Sequence, residues 1–300
     1  MTFRVAVPAI KKPIMKLLYF KKQTTLFLGI QTEQGVFDID AYQQSVGGKL
    51  YSHRNLDRQD LQEMSRIVGQ RTGQPAFFLP EASLSFGTCT PYASKIVCIG
   101  LNYRKHALES GMAIPTVPVV FTKYNNTLVD FGGDVALGPV GQQFDYEVEL
   151  GVVIGRKAKN VSAADALSYV LGYCVANDLS CRDLQFRTSQ WLMGKSLDHF
   201  LPLGKQLVTY DEIPDPQRLE LETWVNGDLR QRSNTADMVF SVAAIIEDLS
   251  RHFTLEPGDL ILTGTPEGVA MGMKDQPWLR KGDKVEVAIE GLGSTVNTMI

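Results

Sequence analysis

A mixed α+β fold, mainly β, is what this 300-residue sequence predicts. Three observations point there. From residue 93 onward the chain reads as short β-rich runs cut by Gly and Pro turns. Only two segments of that stretch stand out as helices. The regular strand–helix alternation of a doubly wound parallel sheet is missing.

Taken in order, residues 1–14 read as an extension carrying no assigned function. The basic residues Lys11, Lys12, Lys16, Lys21 and Lys22 read as a solvated edge. From Met15 the runs Leu17–Phe20 and Thr25–Ile30 predict a hairpin. Asp57 to Val68 reads as a short helix, with Leu61, Met64 and Val68 at helical spacing and Gly69 as its stop. The stretch from Gln70 to Ala93 is rich in turn residues (Gly73, Pro75, Pro80, Gly87, Pro91) and predicts a boundary. It divides an N-terminal α+β domain, 1–92, from a larger domain, 93–300. In the second, Asn102 to Ser110 can form a short helix ended by Gly111. Ser162 can cap a helix from Ala163 to Leu171 that Gly172 ends, with Asp165 three residues after the cap. Ser241 can cap another, whose Val242, Ile245, Ile246, Leu249 and Phe253 form one apolar face.

Composition narrows the function classes. Apolar residues make up 44% and charged residues 21%, which is ordinary globular usage. A net charge of −3 argues against coating nucleic acid or an anionic membrane. No run approaches about 18 apolar residues, so no membrane-spanning helix is expected. Val5 to Ile10 is too short for a secretory signal. The four cysteines, Cys89, Cys98, Cys174 and Cys181, form no CxxC pair. Cys98 and Cys174 sit in apolar runs, where free cysteine behaves as a small hydrophobe. A reducing cytoplasm is the expected compartment.

The most informative segment is Asp145-Tyr-Glu147-Val-Glu149-Leu-Gly-Val-Val-Ile154. Its alternation is that of a strand, which puts Asp145, Glu147 and Glu149 on one face. Like charges crowded along a strand repel, so either solvent screens them or a cation holds them. An exposed acidic edge strand is the plainer reading. Against it, the strand runs into Gly-Val-Val-Ile-Gly, which reads as buried. A further acid, Asp178, ends the apolar run Leu171–Asn177, where it could be a third ligand or cap the following helix. Carboxylates with no histidine or cysteine cluster favour a hard ion, Mg²⁺ or Mn²⁺, and Ca²⁺ also fits.

Seven blocks then come in one order: Lys95-Ile-Val-Cys-Ile-Gly-Leu-Asn-Tyr-Arg-Lys-His106, Pro118–Lys123, Asp145–Gly151, Asn177–Gln185, Gly194–Asp198, Val225-Asn-Gly227 and Thr263-Gly-Thr-Pro-Glu-Gly-Val269. In types and order they resemble the fumarylacetoacetate hydrolase family over about residues 95–292. That resemblance implies a β-roll catalytic domain preceded by a smaller N-terminal domain, and usually a homodimer. It implies that Glu147, Glu149 and Asp178 ligate the metal and that His106 and Glu109 form a water-activating pair. Arg182, Gln185, Lys195, Thr265 and Lys123 fall on its substrate-surrounding positions. Where many members carry small hydroxyl residues, this chain has Tyr124-Asn125-Asn126 after Lys123 and His199-Phe200 after Asp198, which leaves substrate identity open.

The implied chemistry is divalent-metal-dependent action on small 2-oxo acids through a metal-bound enolate. Hydrolysis of a carbon–carbon bond in an acylpyruvate and decarboxylation of oxaloacetate share first place. An isomerase of unsaturated 2-oxo dicarboxylates and a catalytically idle binding relative are the alternatives. The residues suit this. His106 and Glu109, three apart on a helix, share a side, and a carboxylate beside an imidazole fixes its tautomer for accepting a proton. An exposed ion pair is the plain alternative. Arg182 offers a planar fork to a carboxylate, with Gln185 on the same face. Lys195 supplies a compact charge to a developing enolate oxygen, although either cation alone also fits a surface position. The Thr265 turn could present a hydroxyl and backbone N–H groups to a carboxylate. His199 is a further candidate pocket residue, while His53 and His252 read as surface.

Overall fold

In the computed structural model, which describes residues 15–300 apart from 53, one large sheet carries most of the strands. Across it run Phe78–Leu79, Gly35–Asp38, Thr25–Thr32, Lys16–Lys22, Gln206–Thr209, Val170–Asn177, Val148–Ile154, Leu260–Leu262, Ile96–Gly100 and Val119–Lys123. The hairpin expected from Met15 is there, Lys16–Lys22 pairing antiparallel with Thr25–Thr32. Its first strand also pairs with Gln206–Thr209, so the strands before residue 92 continue the sheet of those after it. Lys11, Lys12 and the surface reading of His53 fall outside the described residues.

A second, four-stranded antiparallel sheet is ordered Asp228–Asn234, Glu220–Val225, Lys284–Ile289, Gly293–Thr298. It covers one side of the strand Val148–Ile154. Val148, Leu150 and Val152 pack in one core with Leu221, Val225, Val285 and Val287, whereas Val153 belongs to a second core on the other side with Leu17, Ile30 and Leu260. Such two-sided burial explains why every residue of that strand is buried. The helix Val242–His252, capped by Ser241 through the Ala244 N–H, buries Val242, Ile245, Ile246 and Leu249 as its spacing foretold. Each such side chain contributes about 1.5–3 kcal/mol relative to exposure. No helix among the described residues is long and apolar enough to cross a membrane.

Three local expectations need correction. The helix begun at Asp57 runs Arg58–Arg71, through Gly69. Gly69 lies on the exposed face while Ile67 and Val68 are buried, and that packing outweighs the roughly 1 kcal/mol that a helical glycine costs. The helix after Ser162 stops at Ala166, passes through a 3₁₀ turn at Leu167–Tyr169, and Gly172 lies inside the strand Val170–Asn177. Valine, tyrosine and cysteine following Gly172 suit a strand buried on both faces. Finally, Asp145 to Ile154 is not one strand. Phe144–Asp145 pairs with Ser180–Cys181, and only Val148–Ile154 joins the large sheet.

Candidate active site

Two antiparallel strands create the site by ending side by side. Val148–Ile154 pairs with Val170–Asn177 in a register that sets Val148 opposite Asn177. The residues just beyond, Glu147 and Asp178, are therefore neighbours, and the Asp178 N–H donates to the Glu147 carbonyl at 2.9 Å. Glu149 lies two residues on, its carboxylate accepting the Gly264 N–H at 2.7 Å from the turn after Leu260–Leu262. Ligand-capable oxygens of Glu147, Glu149 and Asp178 lie within 4.8 Å of one another, and all three residues are buried. Asp178 does not cap the helix after it, whose N-cap is Cys181.

Three cations surround this acid set. Lys195 Nζ donates to Glu147 Oε2 at 2.6 Å and to Asp178 Oδ2 at 2.9 Å. Lys123 Nζ donates to Asp178 Oδ1 at 2.6 Å from behind, 1% exposed, and is not part of the cavity wall. Arg182 donates from Nη2 to Glu147 (2.6 Å), from Nε to Asp145 (2.9 Å) and from Nη1 to Gln185 (2.9 Å). Asp145, which the alternation placed with the other two acids, therefore takes a different part. It orients Arg182 and accepts the N–H groups of Ala270 (2.8 Å) and Met271 (3.1 Å), fixing the turn that forms one wall.

Charge is unevenly satisfied. Burial would raise the Glu147 carboxyl, but Lys195 and Arg182 outweigh it and hold the group below its usual range. Burial pushes Glu149 well up, and the charges of Asp178 and Glu147 push further. Among the described residues its one hydrogen bond is from Gly264. Lys195 is raised: burial acts to lower it, and Asp178 and Glu147 prevail. Four carboxyl groups (Asp145, Glu147, Glu149, Asp178) thus meet three cations (Lys123, Arg182, Lys195), and among the described residues Glu149 is the acid of that set with no ion-pair partner. A divalent cation fits that donor set: it meets hard oxygen ligands and relieves Glu149 of its two like-charged neighbours.

A cavity opens beside the acids. His106, Arg182, Gln185, Lys195 and Thr265 line it together with Glu147 and Glu149. Its other walls include Phe121, Trp191, Met112 and Met271, which no sequence signal had singled out. His106 sits on the helix Arg104–Glu109, which ends with Ser110 as C-cap and Gly111 at a φ of 64°. Its Nδ1 is 3.5 Å from Glu109 Oε2, and both Glu109 oxygens accept the Gly268 N–H at 3.1 Å. Lys105 adds an ion pair to Glu267, so this helix is fastened to the 263–272 loop. His199 is corrected: it is exposed, outside the cavity wall, and its φ of 64° belongs to a turn. His252 is exposed as expected, near Asp248.

Lys195 reaches the acids because Gly194 lets the helix Leu192–Lys195 press against Arg182–Gln185. A Cβ at 194 would lie 2.5 Å from the Cys181 carbonyl oxygen and against the Gln185 backbone nitrogen. We expect Gly194→Ala to destabilise by about 1–3 kcal/mol through overpacking. A thermal melt unchanged from the natural protein would contradict this close approach.

Comparison with known proteins gives the family and related folds. Residues 95–300 match the family described as fumarylacetoacetate (FAA) hydrolase, C-terminal. A mitochondrial oxaloacetate tautomerase of Rattus norvegicus is 42% identical over 223 residues, 74% of this chain and 71% of the relative. The crystal structure of 2-hydroxyhepta-2,4-diene-1,7-dioate isomerase from Mycobacterium marinum superposes with a TM-score of 0.73 at 32% identity, covering 95% of this chain and 98% of that one. A fumarylacetoacetate hydrolase from Exiguobacterium antarcticum gives 0.75 at 31% identity, covering 95% and 99%.

Proposed function

The chain belongs to the fumarylacetoacetate hydrolase family, and from that membership we propose a divalent-cation-dependent enzyme that forms and protonates the enolate of a small 2-oxo acid. One observation carries the reading. His106 is 5% exposed, borders the cavity together with Glu147, Glu149 and Lys195, and its Nδ1 lies 3.5 Å from Glu109 Oε2. Imidazole is the side chain that exchanges protons near neutral pH, and this one shares the cavity wall with Glu147 and Glu149.

Glu147, Glu149 and Asp178 would hold the cation, Mg²⁺ or Mn²⁺. When bound, it supplies Lewis acidity that favours negative charge on the substrate's 2-oxo oxygen. His106 takes the proton from C3 of the 2-oxo acid. The C–H electron pair becomes the C2–C3 double bond, and the carbonyl pair moves to oxygen. The ammonium of Lys195, at the cavity wall, favours that charge. Glu109 stabilises the imidazolium thus formed and keeps the ring oriented. Thr265 and Arg182 border the space in which the substrate carboxylate sits. Return of the proton to oxygen gives the enol, and return to carbon restores the keto acid.

A second reading rests on the same pair: with Glu109 at 3.5 Å, His106 is also placed to deprotonate water for carbon–carbon bond hydrolysis of an acylpyruvate. A substrate panel tests both. Protein supplied with Mg²⁺ or Mn²⁺ is given enol oxaloacetate, followed by its ultraviolet absorbance, and a set of acylpyruvates. Acceleration of the enol-to-keto change is expected. If none of these substrates reacted faster than in protein-free buffer, the proposed activity would be lost.

A further inference from the structure

Thr265 borders the cavity, 4% exposed, and what its hydroxyl can do there depends on a residue outside the wall. Gln231, on the strand Asp228–Asn234, is completely buried. Its side-chain amide has four partners. Oε1 accepts from the Val148 N–H (3.1 Å) and the Thr223 hydroxyl (2.7 Å), and Nε2 donates to the Pro266 carbonyl (3.0 Å) and to Thr265 Oγ1 (2.9 Å). Amide orientation is often ambiguous, because oxygen and nitrogen look alike. Here it is decided by chemistry: a backbone N–H can only donate and a backbone carbonyl can only accept. Oε1 must face Val148, and Nε2 must face Pro266.

Consequently Thr265 Oγ1 receives a proton from Gln231 and keeps its own for another partner. Among the described residues, no other hydrogen bond to the Thr265 hydroxyl is present. We propose that Gln231 is a positioning residue that fixes the Thr265 hydroxyl as a hydrogen-bond donor into the cavity, so that an acceptor, the carboxylate of a 2-oxo acid, is selected there. This rests on the proposed function, which puts a 2-oxo acid in this cavity. Without the Nε2 protons, the Pro266 carbonyl loses its donor and competes for the Thr265 proton.

The test is calorimetric titration of the Mg²⁺-supplied protein with pyruvate, the smallest 2-oxo acid. It uses the natural protein, Thr265→Val, Gln231→Met and the double variant, each checked as folded by circular dichroism; Gln231→Glu serves as a second, shape-preserving change. Loss of one hydrogen bond to a charged group is expected to weaken pyruvate by on the order of 10-fold or more in either single variant. The double variant should be no weaker than Thr265→Val alone, and Mg²⁺ affinity should stay within about twofold throughout. Undiminished pyruvate binding by Thr265→Val would overturn the proposal even if no Gln231 variant folded. So would losses that multiply in the double variant, or Mg²⁺ affinity falling in step with pyruvate affinity, since either marks a merely structural role. Failure of the natural protein to bind pyruvate at all would instead remove the proposed function, and this inference with it.

Discussion

Glu149→Gln is expected to abolish divalent-cation binding and turnover while leaving the chelated protein more stable than the natural one. The two halves have one cause. Glu149 is buried beside Glu147 and Asp178, has no ion-pair partner among the described residues, and is held well above its usual range by burial and those two charges. A carboxyl whose folded pKa is raised binds its proton more tightly folded than unfolded. Ionising it near neutral pH therefore costs the fold stability, and the cost vanishes as the pH falls below about 4.3, where both states are protonated. The amide keeps an acceptor for the Gly264 N–H, carries no charge and escapes this cost. Melting both proteins after exhaustive chelation checks the first half, with the variant expected to melt higher at pH 7 and the difference to shrink in acid. Adding Mg²⁺ or Mn²⁺ should then stabilise only the natural protein. Loss of an outer-shell partner alone costs about 10–100-fold in metal affinity, and removal of a ligand should cost more. Turnover that survived chelation, or equal Mg²⁺ affinity in the variant, would remove the cation from the scheme.

The second large effect belongs to His106→Ala. A positioned general base or acid contributes about 10²–10⁴-fold. Enol-to-keto conversion and acylpyruvate hydrolysis should both fall by that order, since each moves a proton at the imidazole. Decarboxylation of oxaloacetate should fall least, because carbon dioxide leaves without any proton being taken from carbon. Steady-state rates with the three substrates on one preparation make the comparison. A uniform loss would mean that His106 holds the helix Arg104–Glu109 in place rather than moving protons, as would a similar loss in Lys105→Ala, which breaks the ion pair with Glu267.

Much of this site is legible in the sequence alone. Period-two alternation named Glu147 and Glu149, and an acid ending a buried strand named Asp178; strand register explains why they meet. Helical spacing paired His106 with Glu109 and Arg182 with Gln185, and the distances agree. The same alternation misplaced Asp145, because a two-residue break between strands has no signature in hydrophobicity. Gln231 escaped notice for a related reason. Its importance lies in four partners drawn from three separate stretches, and nothing local marks such a residue. Gly69 and Gly172 misled because glycine was read as punctuation, whereas burial of their neighbours decided each case.

The seating of Leu260–Leu262 between Val148–Ile154 and Ile96–Gly100 has a consequence for biosynthesis. A ribosome releases the chain from its N-terminus, so both flanking strands emerge long before the one that joins them. Until then each has an open, apolar edge, the kind of surface that invites mispairing and chaperone capture. Completion must wait until Leu260–Leu262 has been translated, and the Gly264–Thr265 turn arrives with that closing strand. A nascent chain that has already gathered its three acids therefore still lacks the last wall of its pocket.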